Sequence, residues 1–186
     1  MTLTPSSMLP LGTSAPDFKL QDVTTGRMRA LQDLRGGRGL LLMFICNHCP
    51  YVKHINGELV KLAHDFAASD LGFAAVSSND AETYPQDGPE QMKQHAEDLG
   101  YPFPYLYDAT QSVARAYQAA CTPDFFLFDA EMQLVYRGRL DASTPGNNVA
   151  LDGKDLRAAM EALLEGTPIP VEQHPSVGCN IKWRAA

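Results

Sequence analysis

Two cysteines stand two residues apart in the stretch MFICNHCPYV, at Cys46 and Cys49. The pair follows an apolar run and immediately precedes Pro50. Such a pair can bind a metal, react with a peroxide, or cycle between dithiol and disulfide. The surrounding sequence has to distinguish these three kinds of site.

The sequence around the pair predicts a junction between a buried strand and a helix. The run GLLLMFIC is continuously apolar, which is typical of a strand covered on both faces. A thiolate at such a junction faces unpaired backbone N–H groups and the positive end of the helix dipole, which both favour the ionised form. Behind the pair, apolar residues recur at helical spacings of three and four: Tyr51, Ile55, Leu59, Leu62 and Phe66.

The two cysteines are predicted to have different roles. We expect Cys46 to attack the substrate because it lies at the exposed mouth of the turn. We expect Cys49, one turn into the helix, to attack any mixed disulfide formed on Cys46. A positive charge on His48 would lower the pKa of Cys46, stabilise the dithiol and raise the reduction potential. Pro50 costs little, because the first turn of a helix has unpaired N–H groups.

The stretch CTPDFFLFD holds a second candidate site element, Thr122-Pro123, directly before a predicted strand. A cis peptide bond here would place the backbone of Thr122 against the cysteine pair, where it can pair with an extended substrate. An ordinary trans proline that opens a strand is the more common arrangement. The two residues are therefore the candidate substrate groove.

The cysteine pair also fits a metal site or a structural role in the core. A zinc site needs two further ligands, for which the chain offers Cys121, Cys179, His48 and His174. Structural zinc sites usually combine two close pairs of ligands on loops, whereas this chain has one pair at a strand–helix junction, so we predict no metal site. Alternatively, both cysteines are simply buried in the core.

The composition is that of a globular protein. The chain has 186 residues, of which 45% are hydrophobic and 20% are charged. A formal net charge of −7 gives no support to nucleic-acid binding, and no lysine or arginine cluster suggests an anionic membrane surface. The longest apolar run is too short to span a bilayer.

The N-terminal stretch MTLTPSSMLPLGTSAPDF lacks the charge and the apolar region of a secretory signal. We therefore expect the protein in the cytoplasm. There the cysteines would rest in the reduced state, which favours a catalytic pair over a structural disulfide.

Strands and helices are predicted to alternate along the chain. DFKLQDVTTGRMRAL indicates a hairpin around TTG, and LGFAAVSS a buried strand. GPEQMKQHAEDLG has the proline start and glycine end of a helix, and PYLYD is a short strand. TQSVARAYQAA indicates a helix that Thr110 caps, DFFLFDAEMQLVYRGRL two strands, and GKDLRAAMEALLEG a helix ending at Gly166.

This order predicts an α/β sandwich in which helices flank a central mixed β-sheet, mostly parallel with an antiparallel edge. We expect one domain over residues 1–186. A leader over residues 1–11 precedes the N-terminal β-hairpin. An irregular C-terminal tail over residues 167–186 lies over the domain or trails from it.

The chain resembles the thioredoxin-like superfamily, and within it the peroxiredoxin-like branch of AhpC/TSA and TlpA-type proteins. The stretches APDFKLQD, GLLLMFICNHCPYV and LYDATQSVARAYQAACTPDFFLFDAEMQLVYRG carry the resemblance, together with the closing helix. It covers nearly all of residues 12–166. It implies a thioredoxin-like sandwich with an inserted β/α unit around residues 71–100. The group it resembles most keeps the Cys-x-x-Cys pair and is uncharacterised, so no substrate is implied.

At the cysteine pair, the sequence departs from both the peroxiredoxins and thioredoxin. Peroxiredoxins have a Pro-x-x-x-Thr/Ser-x-x-Cys pattern, and alignment on Cys49 puts Leu42 in the proline place and Cys46 in the Thr/Ser place. The groups that hold and polarise a peroxide are therefore missing. Ile45 replaces thioredoxin's tryptophan, and the Asn-His dipeptide resembles the x-His pairs of protein disulfide isomerase and DsbA. The resemblance implies a pair less reducing than thioredoxin's.

Two further thiols are possible accessories. Cys121 directly precedes Thr122, so the predicted fold brings it near the pair, and Cys179 lies in the tail close to Trp183. By similarity to peroxiredoxins with a C-terminal cysteine, Cys179 is a candidate to resolve a disulfide or sulfenic acid on Cys46. For both thiols the alternative is a buried apolar filler.

The remaining basic candidates are interpreted as structural. His54, His64 and His95 fall on predicted helices, where surface or boundary positions are expected. Arg115 also falls on a predicted helix and is expected to be solvated.

These observations together predict a thiol–disulfide oxidoreductase. Its partners would be a disulfide-bearing protein or small disulfide and a separate thiol reductant, with no bound organic cofactor. Two alternative functions stay open. One is a thiol-dependent peroxidase that uses Cys46 or Cys49 in an unusual setting. The other is a metal-binding or metallochaperone module with the reduced pair as soft ligands.

Overall fold

Ten strands and five α-helices make up the computed structural model, which describes residues 3–185. The strands are β1 (Leu3–Pro5), β2 (Lys19–Asp22), β3 (Met28–Ala30), β4 (Gly39–Phe44), β5 (Leu71–Ser77), β6 (Tyr105–Tyr107), β7 (Cys121–Thr122), β8 (Asp124–Phe128), β9 (Leu134–Gly138) and β10 (Val177–Asn180). The helices are α1 (Leu31–Leu34), α2 (Pro50–Asp65), α3 (Pro89–Leu99), α4 (Ser112–Ala116) and α5 (Lys154–Glu165). Met1 and Thr2 of the predicted leader and Ala186 of the predicted tail lie outside the described residues.

The central sheet has the order β3-β2-β6-β5-β4-β8-β9. It is mixed, as predicted, because β4 pairs parallel with β5 and β5 parallel with β6. The prediction of a mostly parallel sheet is wrong, since antiparallel pairs occupy both edges. Two of these pairs, β2 with β3 and β8 with β9, are the predicted hairpins, in which a short turn requires antiparallel strands.

Strand β4 is buried on both faces, as its continuous apolar run predicts. Alternate side chains enter different clusters, since successive residues of a strand point to opposite faces. Leu41 and Met43 pack among residues of α2, α3 and α5. Leu40 and Leu42 pack on the other face with residues of α1 and α4. Helices therefore cover both sides of the strand that leads into the cysteine pair.

The boundaries of α2, α3 and α5 follow the sequence signals, whereas the short helix α1 was not predicted. Helices α2 and α3 begin with proline, and α3 and α5 end at Gly100 and Gly166, both left-handed. The helix predicted over residues 110–120 is shorter: α4 starts after Gln111, and Thr110 bonds to Ser112 instead of capping it. Among the described residues, no helix is both long and apolar enough to cross a membrane.

A second, three-stranded sheet has the order β1-β10-β7. Strand β10 pairs antiparallel with β1 and with β7. The sequence predicts an irregular tail, but β10 is a strand within it, while β1 is a strand within the predicted leader. Local patterns do not predict these strands, because each is very short and depends on a partner from the far end of the chain.

Asp124, the first residue of β8, has a buried carboxyl group in which one oxygen lacks a hydrogen-bond partner. Its Oδ1 accepts a hydrogen bond from the Ser6 hydroxyl at 2.7 Å, while its Oδ2 is buried without a partner. Burial raises the pKa of Asp124 from its ordinary value of 3.8 to about 7, although the Ser6 bond opposes this shift. The folded protein therefore holds this proton more tightly than the unfolded chain.

We predict that Asp124 makes the protein less stable as the pH rises. The stabilising contribution of the protonated form is complete below the ordinary pKa of 3.8 and is lost as the pH approaches about 7. Over that window the free energy of unfolding should fall by up to about 4 kcal/mol from this group. Urea unfolding at a series of pH values measures the change.

The matched variants are Asp124→Asn, which keeps the side chain neutral, and Glu131→Gln, which removes an exposed carboxylate. Asp124→Asn should flatten the stability profile in this window, and Glu131→Gln should leave it unchanged. An Asp124→Asn profile as steep as that of the parent protein would contradict the assignment.

Candidate active site

The two cysteines lie at the predicted junction, between the end of β4 and the start of α2. Cys49 is the N-cap residue of α2, and Pro50 is the first helical residue. Both side chains are buried, with exposed fractions of 1% for Cys46 and 0% for Cys49. The expectation that Cys46 lies at an exposed mouth is therefore wrong, because other parts of the chain close over the turn.

Thr122 is the residue that both thiols contact. The Cys46 Sγ lies 3.5 Å from the Thr122 hydroxyl, and the Cys49 Sγ lies 3.2 Å from the Thr122 carbonyl oxygen, to which the protonated thiol donates. The Thr122-Pro123 peptide bond is cis. The predicted placement of the Thr122 backbone against the pair is therefore present.

The charge on the reduced pair is favoured at Cys49. A hydrogen bond from Cys46, aided by contacts with Cys179, Thr122 and the Val52 N–H, outweighs burial and lowers the pKa of Cys49 to about 4. The bond to Cys49 and burial raise the pKa of Cys46 well above its ordinary value. The sequence predicts the thiolate on Cys46; the structure favours Cys49 because that sulfur accepts from its neighbours at the helix N-terminus.

His48 lies between the cysteines in the sequence and next to a buried carboxylate in the structure. Its Nδ1 lies 2.5 Å from Oδ2 of the buried Asp87 carboxylate, and its ring stacks on Tyr84. The Asp87 charge also raises the pKa of Cys46. The structure thus places a carboxylate beside the imidazole that the sequence proposes as the tuning group.

Asp87 is a residue of the candidate site that the sequence does not reveal. Its Oδ1 accepts the backbone N–H groups of Asn47 and His48 at 2.9 and 3.3 Å. Its Oδ2 also accepts a hydrogen bond from the Asn79 side chain at 2.8 Å. Asp87 lies in a short 3-10 turn before α3, inside the unit around residues 71–100 that the resemblance indicated. An acidic residue in a polar loop carries no sequence signal that it is buried.

The tail closes over the pair. In β10, Cys179 pairs with Thr122 and Asn180 with Cys121. Cys179 is buried in the same cluster as Cys46 and Cys49. The backbone edge that was predicted to pair with a substrate is thus occupied by the chain's own C-terminal strand.

Cys121 has a different environment from the other three thiols. Its side chain is buried and lies 3.5 Å from the Pro123 carbonyl, to which it donates a hydrogen bond. Burial, with the Asp124 charge, raises its pKa far above the ordinary value for a thiol. These properties are those of a packed core residue.

The other basic residues lie apart from the pair. His54 bonds to Ser143 at 2.7 Å, His95 lies near Asn56, and Arg115 stacks over the Trp183 ring. His64 in the last turn of α2 is exposed, as is His174, one of the nominated zinc ligands.

A different set of possible metal ligands comes together at the site. One ligand atom each from Cys46, His48 and Asp87 lies within 4.8 Å of the other two. A thiolate, an imidazole and a carboxylate suit a borderline ion such as zinc. His48 Nδ1 and the Asp87 carboxylate are bonded to each other, so a metal bound through Nδ1 would have to replace that bond.

The fold and the Cys-x-x-Cys pair beside Thr122-Pro123 define a thioredoxin-like protein. Within that class, the chain belongs to the AhpC/TSA family, whose model matches residues 11–137. No curated protein matches the chain.

Three solved structures show the range of its relatives. An uncharacterized conserved protein from Geobacillus kaustophilus is 54% identical, with a TM-score of 0.98 and coverage of 100% of this chain and 98% of that chain. A hypothetical protein from Sinorhizobium meliloti is 47% identical, with a TM-score of 0.96 and coverage of 98% and 100%. A thioredoxin domain of a thiol-disulfide oxidoreductase from Bacteroides vulgatus is 21% identical, with a TM-score of 0.59 and coverage of 69% and 88%, and shares the fold.

We predict that Asp87→Asn changes both the stability of the protein and the acidity of the pair. Loss of a buried charged acceptor should lower the free energy of unfolding by about 1–3 kcal/mol. Loss of the negative charge should lower the pKa of Cys46. Urea unfolding and the pH dependence of thiol alkylation by iodoacetamide measure the two effects.

The control is Asp98→Asn, which removes an exposed carboxylate from α3 of the same inserted unit. It should change neither quantity. If Asp87→Asn behaves like this control, Asp87 does not organise the site.

Proposed function

We propose that this protein is a thiol–disulfide oxidoreductase whose redox centre is the sequence Cys46-Asn47-His48-Cys49. One observation carries the proposal: the two thiols are hydrogen-bonded to each other at the N-terminus of α2, and both contact Thr122. A dithiol that holds one negative charge at neutral pH is the reactive form in thiol–disulfide exchange.

The proposed reaction starts at Cys46 and ends with a disulfide between the pair. As the Cys46 sulfur attacks a substrate disulfide, its proton passes along the hydrogen bond to Cys49, and one substrate thiolate leaves. Cys49 then attacks the Cys46 sulfur, which releases the second substrate thiol. Cys46 is assigned the first attack because it lies ahead of α2, whereas Cys49 is the N-cap residue of the helix.

His48 and Asp87 would position the loop between the two sulfurs. The Asp87 carboxylate holds the N–H groups of Asn47 and His48, and Asn47 also accepts a hydrogen bond from the Tyr105 hydroxyl at 3.1 Å. A rigid loop keeps the sulfurs close enough for exchange.

Substrate would approach from the side of Pro123. A small cavity of about 90 Å³ there is lined by Tyr51, Pro123, the 141–144 loop and the 175–177 segment. The substrate is a disulfide of a protein or a small molecule, and a separate thiol reductant regenerates the dithiol without a bound organic cofactor. A reducing compartment such as the cytoplasm fits this cycle.

A metal-binding module is the second candidate, supported by the proximity of Cys46, His48 and Asp87. Reduced Cys49 would supply a further soft ligand next to them. Metal content of the purified protein separates this candidate from the first: one equivalent of retained zinc favours the binding module.

We predict that Cys46 and Cys49 oxidise together to one disulfide, at a potential above thioredoxin's value of about −270 mV. The reason is that stabilisation of the thiolate favours the dithiol form. The measurement is equilibration in a series of glutathione redox buffers, alkylation of remaining thiols, and assignment of each cysteine by mass spectrometry.

The matched control is Cys121→Ser, which replaces a packed thiol and should leave the potential unchanged. Cys49→Ser should instead accumulate glutathione on Cys46. If neither Cys46 nor Cys49 is oxidised at any buffer ratio, the proposed function fails. Peroxide consumption with a thiol reductant would instead indicate the thiol-dependent peroxidase.

A further inference from the structure

Cys179 occupies the position opposite Thr122, the residue that both site thiols contact. The pairing of β10 with β7 sets Cys179 against Thr122. Cys46 and Cys49 approach the hydroxyl and the carbonyl of that same residue. Cys179 forms a hydrogen bond with Cys49 and lies in the same buried cluster as the pair. Three sulfurs therefore surround one threonine.

The tail is held firmly in this register. The Ile181 N–H donates to the Ala120 carbonyl at 3.2 Å, and the Lys182 N–H donates to the Asn79 side chain at 2.8 Å. A Cβ atom at Gly178 would overlap the Thr122 carbonyl oxygen, so glycine permits the close approach of β10. The register is thus specified by residues on both sides of Cys179.

We propose that Cys179 is a third redox-active thiol, which takes over the disulfide of the pair by forming a bond to Cys49. The C-terminal strand β10 is then the intramolecular exchange partner of the site. This inference rests on the proposed function, because the Cys46–Cys49 disulfide supplies the oxidising equivalent.

The exchange balances without a further oxidant. The Cys179 sulfur attacks Cys49, a Cys49–Cys179 bond forms, and the Cys46–Cys49 bond breaks. The electron pair of the broken bond goes to Cys46, which accepts the proton from Cys179. One disulfide is exchanged for another, and Cys46 returns to the thiol form.

Oxidation of the pair changes the surroundings of Cys179 so that its thiol ionises more readily. In the dithiol state, burial and the neighbouring Cys49 thiolate raise the pKa of Cys179 to about 12. Once Cys49 is in a disulfide, its charge is gone, and with it one cause of the shift. The Lys182 ammonium, which favours ionisation of Cys179, remains. Cys179 therefore becomes a better nucleophile when the pair is oxidised.

The relocated disulfide has two consequences. Cys46 is restored as a thiol that can attack a second substrate disulfide. The new bond also ties β10 covalently to the N-terminus of α2, so the edge of Thr122 stays covered until a reductant opens the bond. Reduction of the tail disulfide would then be the step that resets the protein.

Tryptic mapping can distinguish the two disulfides. Cleavage at arginine and lysine places Cys46 and Cys49 together in peptide 39–53, Cys121 in peptide 116–137 and Cys179 in peptide 158–182. A Cys46–Cys49 disulfide stays within one peptide. A Cys49–Cys179 disulfide joins two peptides.

The decisive variant is Cys46→Ser, treated with oxidised glutathione under conditions that oxidise the parent pair. We expect glutathione to react at Cys49 and Cys179 to displace it, so that peptides 39–53 and 158–182 become joined. The Cys46→Ser/Cys179→Ser control should keep glutathione on Cys49. The Cys46→Ser/Cys121→Ser control should still form the joined peptides. Cys46→Ala is run in parallel in case the serine variant does not fold.

A further variant tests the register of the tail while Cys49 and Cys179 both stay in place. Adding Gly178→Ala to Cys46→Ser should displace β10, abolish most of the joined peptide and leave glutathione on Cys49. A Cys46→Ser protein that keeps glutathione on Cys49 while Cys179 stays a thiol overturns the inference. That result leaves the proposed function intact, which fails only if neither Cys46 nor Cys49 of the parent protein is oxidised at any buffer ratio.

Discussion

The structure of the site depends on a carboxylate buried beneath the cysteine loop. Asp87 accepts four hydrogen bonds, from two backbone N–H groups of the loop, the His48 ring and the Asn79 side chain. A buried carboxylate with this many donors is stable where it would otherwise be costly. The loop between the two sulfurs therefore takes its conformation from a residue of the inserted unit rather than from its own sequence.

The same bonds connect the loop to the C-terminal tail. Asn79 donates to Asp87 through its Nδ2 and accepts from the Lys182 N–H through its Oδ1. On the other side, β10 pairs with β7 at Thr122, which contacts both site thiols. The tail thus completes a polar and apolar enclosure around the pair. This enclosure explains why both thiols are buried although the turn that carries them would be exposed without it.

Much of the fold follows from local sequence patterns. The apolar run at β4, the helical spacing behind Cys49 and the glycine ends of α3 and α5 each lead to an element with nearly the expected bounds. Helix α4 is different, because Asp108 Oδ2 accepts the Ala114 N–H and the Ser78 hydroxyl. That contact takes the place of the cap predicted at Thr110, and at the other end of the helix Gln118 has a positive φ.

The strand–helix junction, the spacing of Cys46 and Cys49, and the position of Thr122-Pro123 can all be read from the amino-acid sequence, because each depends on neighbours within a few residues. The tertiary structure was needed to show that both thiols are buried, that Asp87 contacts the His48 ring, and that Cys179 faces Thr122. The physical reason is distance along the chain. Burial, charge and hydrogen bonding at the pair come from the inserted unit and from the C-terminal strand, and no local pattern specifies where such distant segments meet.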